Sequence, residues 1–178
     1  MTRLLVISDT HGNLANAQKA INLMGSIDLI VHAGDHYLDA LKISRSAVIP
    51  VVGVAGNRDY SSEAAEEELF CVEDSKLYVT HGHQYAATAR VSGLQKRAKH
   101  LGAQVVIYGH THVPHLEVLD GRMYLNPGSL HLPRDASGKS FALLEIRGKT
   151  VSARITRLAD LAEIRRETLQ NTKPVAMI

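Results

Sequence analysis

The sequence predicts a mixed α/β layered fold in one domain. In the first two-thirds of the chain, apolar runs with strand character alternate with helical patterns, which is typical of parallel βα units. In the last third, short apolar runs flank tight turns, which indicates antiparallel hairpins. The 178 residues, 45% of them hydrophobic and 21% charged, fit one globular domain over 1–178. We expect its core at about 1–157 and a C-terminal helix and tail at 158–178.

The elements of the first third follow from apolar periodicity and flanking residues. In the first helix, apolar residues recur at helical spacing, with Asn13 as the predicted N-cap and Gly25 as the predicted end. A strand, a helix, a strand, a short helix and a strand are predicted over Arg3–Ser8, Leu14–Met24, Asp28–Ala33, Asp39–Ser44 and Val48–Ala55.

The rest of the chain is less regular. The acidic run Glu63–Glu68 is predicted to be a solvated helix or loop face, because runs of like charge are usually hydrated. Cys71 lies in an apolar segment and is expected to be a small core residue. The further predicted elements are strands Leu69–Val72, Lys76–Thr80 and Val105–Tyr108, a basic helix Ala89–Leu101, hairpins over His115–Leu125 and Phe141–Thr156, and a terminal helix Leu158–Leu169.

Composition excludes several classes of protein. The net charge is only +2 and the basic residues are scattered, which argues against a dedicated nucleic-acid surface. The apolar stretch at the N-terminus is shorter than a signal-peptide core or a membrane span, so no membrane association is expected. The single cysteine forms no internal disulfide and suits a reducing compartment. We therefore expect a cytoplasmic protein, and a homo-oligomer is compatible with the sequence.

Five apolar runs end in polar residues beside glycines. The most informative run, Val105–Tyr108, is followed by Gly109 and then by His110 and His112. On extended backbone alternate side chains share a face, so these two histidines are expected to point into the same space. Ligands of open α/β sheets bind outside the carboxyl ends of the strands, where all five polar clusters fall.

Seven side chains in these clusters are candidate metal ligands: Asp9, His11, Asp35, Asn57, His81, His110 and His112. If one carboxylate bridges two ions, seven side chains supply four bonds to each ion. Asp35 follows a middle strand and is the expected bridge between the ions. The other candidates divide into two sets of three, one for each ion: Asp9, His11 and His112, and Asn57, His81 and His110. The seven ligands predict two divalent ions. Because no thiolate is among them, we expect Mn²⁺ foremost, with Ni²⁺, Fe²⁺ and Zn²⁺ as alternatives.

Charge favours a phosphoryl substrate. Two divalent ions and two aspartates leave about two positive charges at the mouth of such a site, which a phosphoryl group would neutralise. A pair of ions ~3.5–4 Å apart can clamp both oxygens of an in-line displacement and generate a hydroxide from a bridging water. No serine or cysteine nucleophile is then required.

At these residues the chain resembles a known family. The blocks that carry the resemblance are Asp9-x-His11, Gly34-Asp35, Gly56-Asn57-x-Asp59, His81 and Gly109-His110-Thr111-His112. They resemble the signature of the calcineurin-like metallophosphoesterases, and in particular the small YfcE-type phosphodiesterases, to which Vps29 is also related. The resemblance runs from Arg3 to about Arg134. It implies a four-layer α/β/β/α sandwich, a dinuclear site at the strand ends and hydrolysis of small phosphodiesters by a metal-bridging hydroxide.

One position departs from the wider superfamily, in which a histidine follows the Asn57 position and assists the leaving group. Here that residue is Arg58, which cannot donate a proton at neutral pH but can hold a negative oxygen. We therefore predict that Arg58 stabilises charge in the transition state. His83 is the next candidate catalytic residue, to touch the phosphate or donate a proton, with a supporting role as the alternative. Asn13, Asn57 and Arg58 are the expected substrate contacts.

Two other functions compete with this prediction. A protein-binding scaffold on the same fold, as in Vps29, would bind partners without turnover, but scaffolds of this kind can lose ligands and none of the seven is missing here. A broad nuclease is disfavoured by the absence of an extended basic surface. The histidines outside the blocks are expected to be structural, with His36 beside Asp35 as an exception that supports a ligand; they are His32, His36, His100, His115 and His131.

Overall fold

The computed structural model describes residues 1–60, 64–85 and 92–171. The helices of these ranges are α1 (Leu14–Met24), α2 (Tyr37–Ser46) and α3 (Ser92–Leu101), and a 3-10 turn spans His83–Tyr85. The strands are β1 (Thr2–Ile7), β2 (Leu29–His32), β3 (Val51–Gly53), β4 (Glu67–Val72), β5 (Ser75–Thr80), β6 (Val105–Ile107), β7 (His115–Leu119), β8 (Arg122–Asn126), β9 (Ser140–Arg147), β10 (Thr150–Arg157) and β11 (Glu163–Gln170).

The strands form two mixed sheets. The first has the order β11-β10-β9-β1-β2-β3, in which β1, β2 and β3 run parallel and β9, β10 and β11 are added antiparallel. The second has the order β4-β5-β6-β8-β7, with a parallel centre and an antiparallel strand at each edge. Parallel units and terminal hairpins therefore occur where the sequence predicted them.

Alternate residues of the strands face different layers. Leu4 of β1 and Val79 of β5 belong to the large core between the two sheets. Leu5, on the other face of β1, packs with α1 and α2, whereas Tyr78 of β5 packs with α3. Because strand side chains alternate in direction, each sheet has helices on its outer face and the other sheet on its inner face. The predicted four-layer α/β/β/α sandwich is confirmed.

The predicted terminal helix Leu158–Leu169 is wrong. The chain turns at Leu161, which has a φ of 60°, and Glu163–Gln170 then forms β11, antiparallel to β10. The edge of β10 offers unpaired backbone groups, whose pairing in a sheet overrides a modest helix preference.

Two smaller predictions on the second sheet are also wrong. Cys71 is exposed, because it lies on the outer face of edge strand β4. The acidic run is not wholly solvated: Glu67 begins β4 and accepts hydrogen bonds from Tyr78 and Arg97, at 2.6 Å each. Glu63 and residues 89–91 of the predicted basic helix lie outside the described residues, and α3 is described from Ser92.

Among the described residues, no helix is both long and apolar enough to cross a membrane. The cytoplasmic location, the single domain over 1–178 and the compatibility with a homo-oligomer stay predictions from the sequence.

Candidate metal centre

The loops that follow β1, β2, β3, β5 and β6 meet at one end of the two sheets. Backbone hydrogen bonds join them: the Asp9 N–H donates to the Gly34 carbonyl and the Gly109 N–H to the His81 carbonyl, both at 3.1 Å. The two sheets are joined at the same end, because the His110 N–H donates to Asp9 Oδ2 at 3.2 Å. The polar clusters that the sequence placed at separate strand ends are therefore neighbours in space.

Three of the predicted ligands form what we call the Asp9 group: Asp9, His11 and His112. Together with Asp35 they offer ligand atoms that all lie within 4.8 Å of one another. His112 Nε2 is 3.1 Å from Asp9 Oδ1 and 3.4 Å from His11 Nε2. Asp9 and His112 are buried, so this group is shielded from bulk water before any ion is bound.

The other three form the Asn57 group: Asn57, His81 and His110. His110 Nδ1 is 3.1 Å from Asn57 Oδ1, and the rings of His81 and His110 lie edge to face with centroids 5.2 Å apart. His81 is fully buried, whereas Asn57 is exposed to solvent. This group therefore lies nearer the surface than the Asp9 group.

Asp35 lies between the two groups. Its Oδ2 is 3.6 Å from His11 Nε2, and its Oδ1 is 3.2 Å from His81 Nε2. Burial by itself would raise the pKa of Asp35, but His81 and the Arg58 N–H outweigh it and lower that pKa to about 2. The carboxylate is thus ionised at neutral pH, with one oxygen facing each group.

The donor set fits divalent cations. Asp9 Oδ1 and His81 Nε2 are buried; their charged neighbours, His112 Nε2 at 3.1 Å and Asp35 Oδ1 at 3.2 Å, do not meet hydrogen-bond geometry, and neither atom has another partner among the described residues. His81 and His112 use Nδ1 to hold backbone carbonyls, of Ala33 at 2.9 Å and of Leu132 at 2.6 Å, so that each Nε2 is directed into the centre. Metal-binding histidines are usually oriented in this way. Imidazole, amide and carboxylate donors without a thiolate suit Mn²⁺, Fe²⁺, Zn²⁺ or Ni²⁺.

The backbone that carries these ligands is not extended. Five of the seven predicted ligands have a positive φ, which non-glycine residues seldom adopt: Asp9, His11, Asp35, His110 and His112, at 53°, 44°, 54°, 68° and 60°. The extended geometry predicted for His110 and His112 is therefore wrong. The left-handed turns send His112 to the Asp9 group and His110 to the Asn57 group. Backbone strain at several adjacent loops is a common property of functional sites.

Close approach of the loops requires glycine at Gly56 and Gly109. A Cβ on Gly56 would collide with Asp35 Oδ1, and a Cβ on Gly109 would collide with Ser8 Oγ and lie 2.8 Å from the Ala33 carbonyl oxygen. The glycines that accompany the polar blocks in the sequence thus let the loops pack against the aspartates.

Comparison with known proteins agrees with this geometry. The family model of the calcineurin-like phosphoesterase superfamily domain matches residues 2–149. The chain belongs to this superfamily. Of its relatives, "Probable metallophosphoesterase YsnB" of Bacillus subtilis is 35% identical over 169 residues, which are 94% of this chain and 96% of that protein. This phosphoesterase chain is accordingly a metal-dependent hydrolase.

Two further similarities concern specificity and fold. "Phosphodiesterase MJ0936" of Methanocaldococcus jannaschii is 30% identical over 142 residues, which are 69% of this phosphoesterase and 81% of that protein. The crystal structure of wild-type Vps29 complexed with Zn²⁺ from Entamoeba histolytica has a TM-score of 0.76 at 24% identity, and covers 95% of this chain and 99% of that chain. The Vps29 similarity is one of fold.

Two aspartates that are not in the predicted ligand set accept hydrogen bonds from the segments around the phosphoesterase centre. Asp39 is buried in α2 and accepts hydrogen bonds from Thr10 Oγ1 and the Gly12 N–H, both at 2.7 Å. Asp59 accepts from the Gly56 N–H at 2.8 Å and the Tyr37 N–H at 2.7 Å. Asp59 lies in the Gly56-Asn57-x-Asp59 block of the sequence. The supporting role of Asp39 could not be predicted from the sequence, because a carboxylate on a short helix usually faces water.

His32 lies behind the centre and connects the first two loops. The Gly34 N–H donates to His32 Nδ1 at 3.3 Å, and Nε2 lies 3.0 Å from Thr10 Oγ1, whose hydroxyl donates to Asp39. Burial lowers the pKa of His32 to about 4, so the ring is neutral at pH 7. It does not belong to either ligand group.

The remaining predicted residues surround the centre. The Arg58 side chain is exposed, while its N–H donates to Asp35 Oδ1 at 3.2 Å. His83 begins the 3-10 turn rather than extending β5, and its ring centroid is 5.6 Å from that of His81. Asn13 precedes α1, but its side chain makes no capping hydrogen bond and instead lies 3.4 Å from His131 Nδ1. The rings of His36 and His131 lie 5.5 and 6.1 Å from that of His11.

Proposed function

We propose that this phosphoesterase is a dinuclear, metal-dependent phosphodiesterase that hydrolyses small phosphodiesters. The observation that carries the proposal is the position of Asp35. Its two carboxylate oxygens face two different histidines, Oδ2 at 3.6 Å from His11 and Oδ1 at 3.2 Å from His81. A carboxylate between two groups of nitrogen and oxygen donors is the arrangement that a bridged pair of divalent ions requires.

The two ligand groups divide between the two ions. Asp9, His11 and His112 would hold one ion and Asn57, His81 and His110 the other, with Asp35 shared. Two such ions, with Mn²⁺ as the first expectation, would supply a hydroxide at neutral pH and withdraw charge from the phosphoryl oxygens.

The protein supplies orientation and charge. Because the carbonyls of Ala33 and Leu132 hold His81 and His112 by Nδ1, neither ring can turn its Nε2 away. Asn13, whose amide lies 3.4 Å from His131 Nδ1, and the exposed Asn57 would donate from their amides to a phosphate oxygen. His83, beside His81, would contact the phosphate or donate a proton.

Phosphodiesters are favoured over monoesters because a relative that is 30% identical to this chain is named as a phosphodiesterase. Arg58 occupies the position of the leaving-group histidine, and a guanidinium holds negative oxygens but gives up no proton at neutral pH. Leaving groups that need little protonation, such as aryl oxides, are therefore the expected good substrates.

The second candidate function is a protein-binding scaffold without turnover, which the fold similarity to Vps29 supports. The complete set of seven candidate ligands favours the enzyme, because scaffolds on this fold can lose ligands and none of the seven is missing here.

The deciding experiment is the hydrolysis of bis-p-nitrophenyl phosphate by the full chain with Mn²⁺ or Ni²⁺, with and without a chelator. We expect metal-dependent turnover of the diester and slower turnover of p-nitrophenyl phosphate. Full metal occupancy without hydrolysis of any diester in a broad panel would favour the scaffold.

The role of Arg58 has its own test. We expect Arg58→Ala to lower kcat/KM on aryl phosphodiesters about 10- to 100-fold with the metal content unchanged, since a lost charge contact of ~1.5–3 kcal/mol corresponds to such factors. Arg58→Lys, which keeps the charge but not the planar fork, should recover part of the loss. An unchanged kcat/KM in Arg58→Ala would remove Arg58 from the mechanism.

A further inference from the structure

A cavity of about 250 Å³ lies between α1 and the segments that precede β9 and follow β10. Three basic side chains, one from each segment, line it: Lys19, Lys139 and Arg157. Leu158 and Ala159 form an apolar wall and Asn16 adds an amide. We call this cavity the basic pocket. It shares no residue with either ligand group of the metal centre.

The charge of the basic pocket is only partly compensated. The carboxylate that accompanies it, Asp160, has its Oδ1 3.5 Å from Arg157 Nε, which is an ion pair but too long for a good hydrogen bond. Arg157 Nε is buried and has no hydrogen-bond partner in the described part of the chain. Three cations and one anion leave a local charge of about two positive units, as large as that of the whole protein. An acceptor that enters the pocket would meet the accessible part of the Arg157 side chain, which is 41% exposed, rather than the buried Nε.

Backbone contacts fix two of the segments that line the pocket. The Leu158 N–H donates to the Lys139 carbonyl at 2.8 Å and joins the two segments that carry Lys139 and Arg157. Gly138, with a φ of 74°, passes beside Arg157, and a Cβ at this position would lie 3.8 Å from Arg157 Cδ. The chain path therefore brings the Lys139 and Arg157 positions next to each other.

The basic pocket lies close to the metal centre. Asn16 follows Asn13 by one turn of α1, about 5 Å along the helix axis, and its amide donates to the Leu130 carbonyl at 2.7 Å. The next residue, His131, lies beside Asn13 and His11. A molecule of moderate size could therefore occupy the pocket and the centre together.

We propose that the basic pocket binds the phosphate group of a small organic phosphate. Arginine and lysine are the residues that bind phosphate in proteins, and a local charge of two suits a phosphate dianion better than a carboxylate. The apolar wall suits the organic part of the ligand. The phosphate has two sources. It is either the non-reacting end of the substrate, an alternative that rests on the proposed function, or part of a separate phosphorylated molecule, an alternative that is independent of that function.

The test of the pocket is an NMR titration of the Zn²⁺-loaded full chain, freed of excess metal, with inorganic phosphate. Saturable shifts are expected at the amides of Gly138, Lys139 and Ala159, separate from any at the metal centre. Lys139→Gln and Arg157→Gln should each weaken phosphate binding at these amides about tenfold.

Lys149→Gln, an exposed lysine that does not line the pocket, is the matched control and should leave binding unchanged. Lys19→Gln tests the same charge from α1, independently of the β9 and β10 segments. Equal affinity in all variants, or no saturable shift at the pocket amides in folded wild-type protein, would overturn the proposal.

Kinetics distinguish the two sources. The p-nitrophenyl ester of thymidine 5′-phosphate is compared with the same ester that carries an additional 3′-phosphate. If the pocket binds the substrate, the 3′-phosphate lowers KM about tenfold or more in the wild type and not in Lys139→Gln. Equal KM values with intact phosphate binding assign the pocket to a separate molecule. If neither ester is hydrolysed, the proposed function fails, while the titration still decides whether the pocket binds phosphate.

Discussion

The two ligand groups of the metal centre differ in how they are held. In the Asp9 group, Asp9 is fully buried and its Oδ2 accepts from Ser8 Oγ at 2.6 Å and from the His110 N–H. In the Asn57 group, Asn57 is exposed and its Oδ1 contacts only His110 among the described residues. The chain therefore preorganises the Asp9 group more than the Asn57 group. We expect the Asp9 group to hold its ion more tightly and the Asn57 group to exchange its ion at the substrate side.

In the proposed dinuclear centre Asp35 joins the two groups, so its replacement should have the largest effect. Asp35→Asn is expected to lower kcat/KM at least 100-fold, because loss of an outer hydrogen-bond partner of a metal ligand alone costs about 10- to 100-fold. Metal content should fall below two ions per chain by mass spectrometry. Asp74→Asn, at an exposed turn, serves as the control; full turnover and full metal content in Asp35→Asn would contradict the shared carboxylate.

The difference between the groups is tested directly by His112→Ala and His110→Ala. His112→Ala should weaken the tighter ion by about 10- to 100-fold, whereas His110→Ala should weaken only the second ion. Titration of each variant with chelators of increasing strength, with bound metal counted at each step, measures both. If the two variants lose the same ion, the comparison between the groups is wrong.

Asp39 is not a predicted ligand, but it holds the two residues that flank His11 of the Asp9 group. Asp39→Ala leaves the Thr10 hydroxyl and the Gly12 N–H without their acceptor, and should lower the free energy of unfolding by about 3 kcal/mol. It should also weaken the tighter ion more than the second one.

Asp135→Ala is the matched control, because this exposed carboxylate likewise accepts from one hydroxyl and one backbone N–H, both of Ser137. It should cost less than about 1 kcal/mol. Urea unfolding of the full chains gives the comparison; equal losses in the two variants would contradict a special role for Asp39.

The smallest expected effect concerns the turn that carries His83 beside the Asn57 group. Glu67 accepts hydrogen bonds from Tyr78, Tyr85 and Arg97 and so anchors the end of this turn at Tyr85. Burial by itself would raise the pKa of Glu67, but these hydrogen bonds and the Arg97 charge outweigh it and lower the pKa below its ordinary value of 4.5.

Because the pKa of Glu67 is lower in the folded than in the unfolded chain, its ionised form stabilises the fold above pH 4.5, and this stabilisation is lost as the pH falls through the lowered value. The stability difference between wild type and Glu67→Gln, from urea unfolding, should therefore be constant near pH 7 and shrink below pH 4.5. Tyr78→Phe, which removes one donor, should give a smaller change of the same sign. A stability difference between wild type and Glu67→Gln that grows below pH 4.5 would contradict the lowered pKa of Glu67.

Predictions from the sequence succeeded where a local pattern determines structure. The alternation of strand and helix in the first two-thirds and the Asp120-Gly121 turn of the β7–β8 hairpin both occur as expected, since φ is positive at both turn residues. The polar blocks also lie at one end of the sheets, because the topology of parallel strands forces their carboxyl ends together. They failed for Cys71 and for Leu158–Leu169, where the outcome depends on an edge strand and its neighbours.

By itself, the sequence determined the type of chemistry: which side chains carry oxygen and nitrogen donors, in what order, and beside which glycines. Only the tertiary structure decided that the Asp9 group is more deeply buried than the Asn57 group, because the left-handed backbone at Asp9, His11 and His112 follows from loop packing and not from residue preference. The same holds for Asp39 and the basic pocket, whose residues are ordinary in the sequence. They acquire a role through the distant segments that fold against them, since burial and uncompensated charge are properties of the assembled structure.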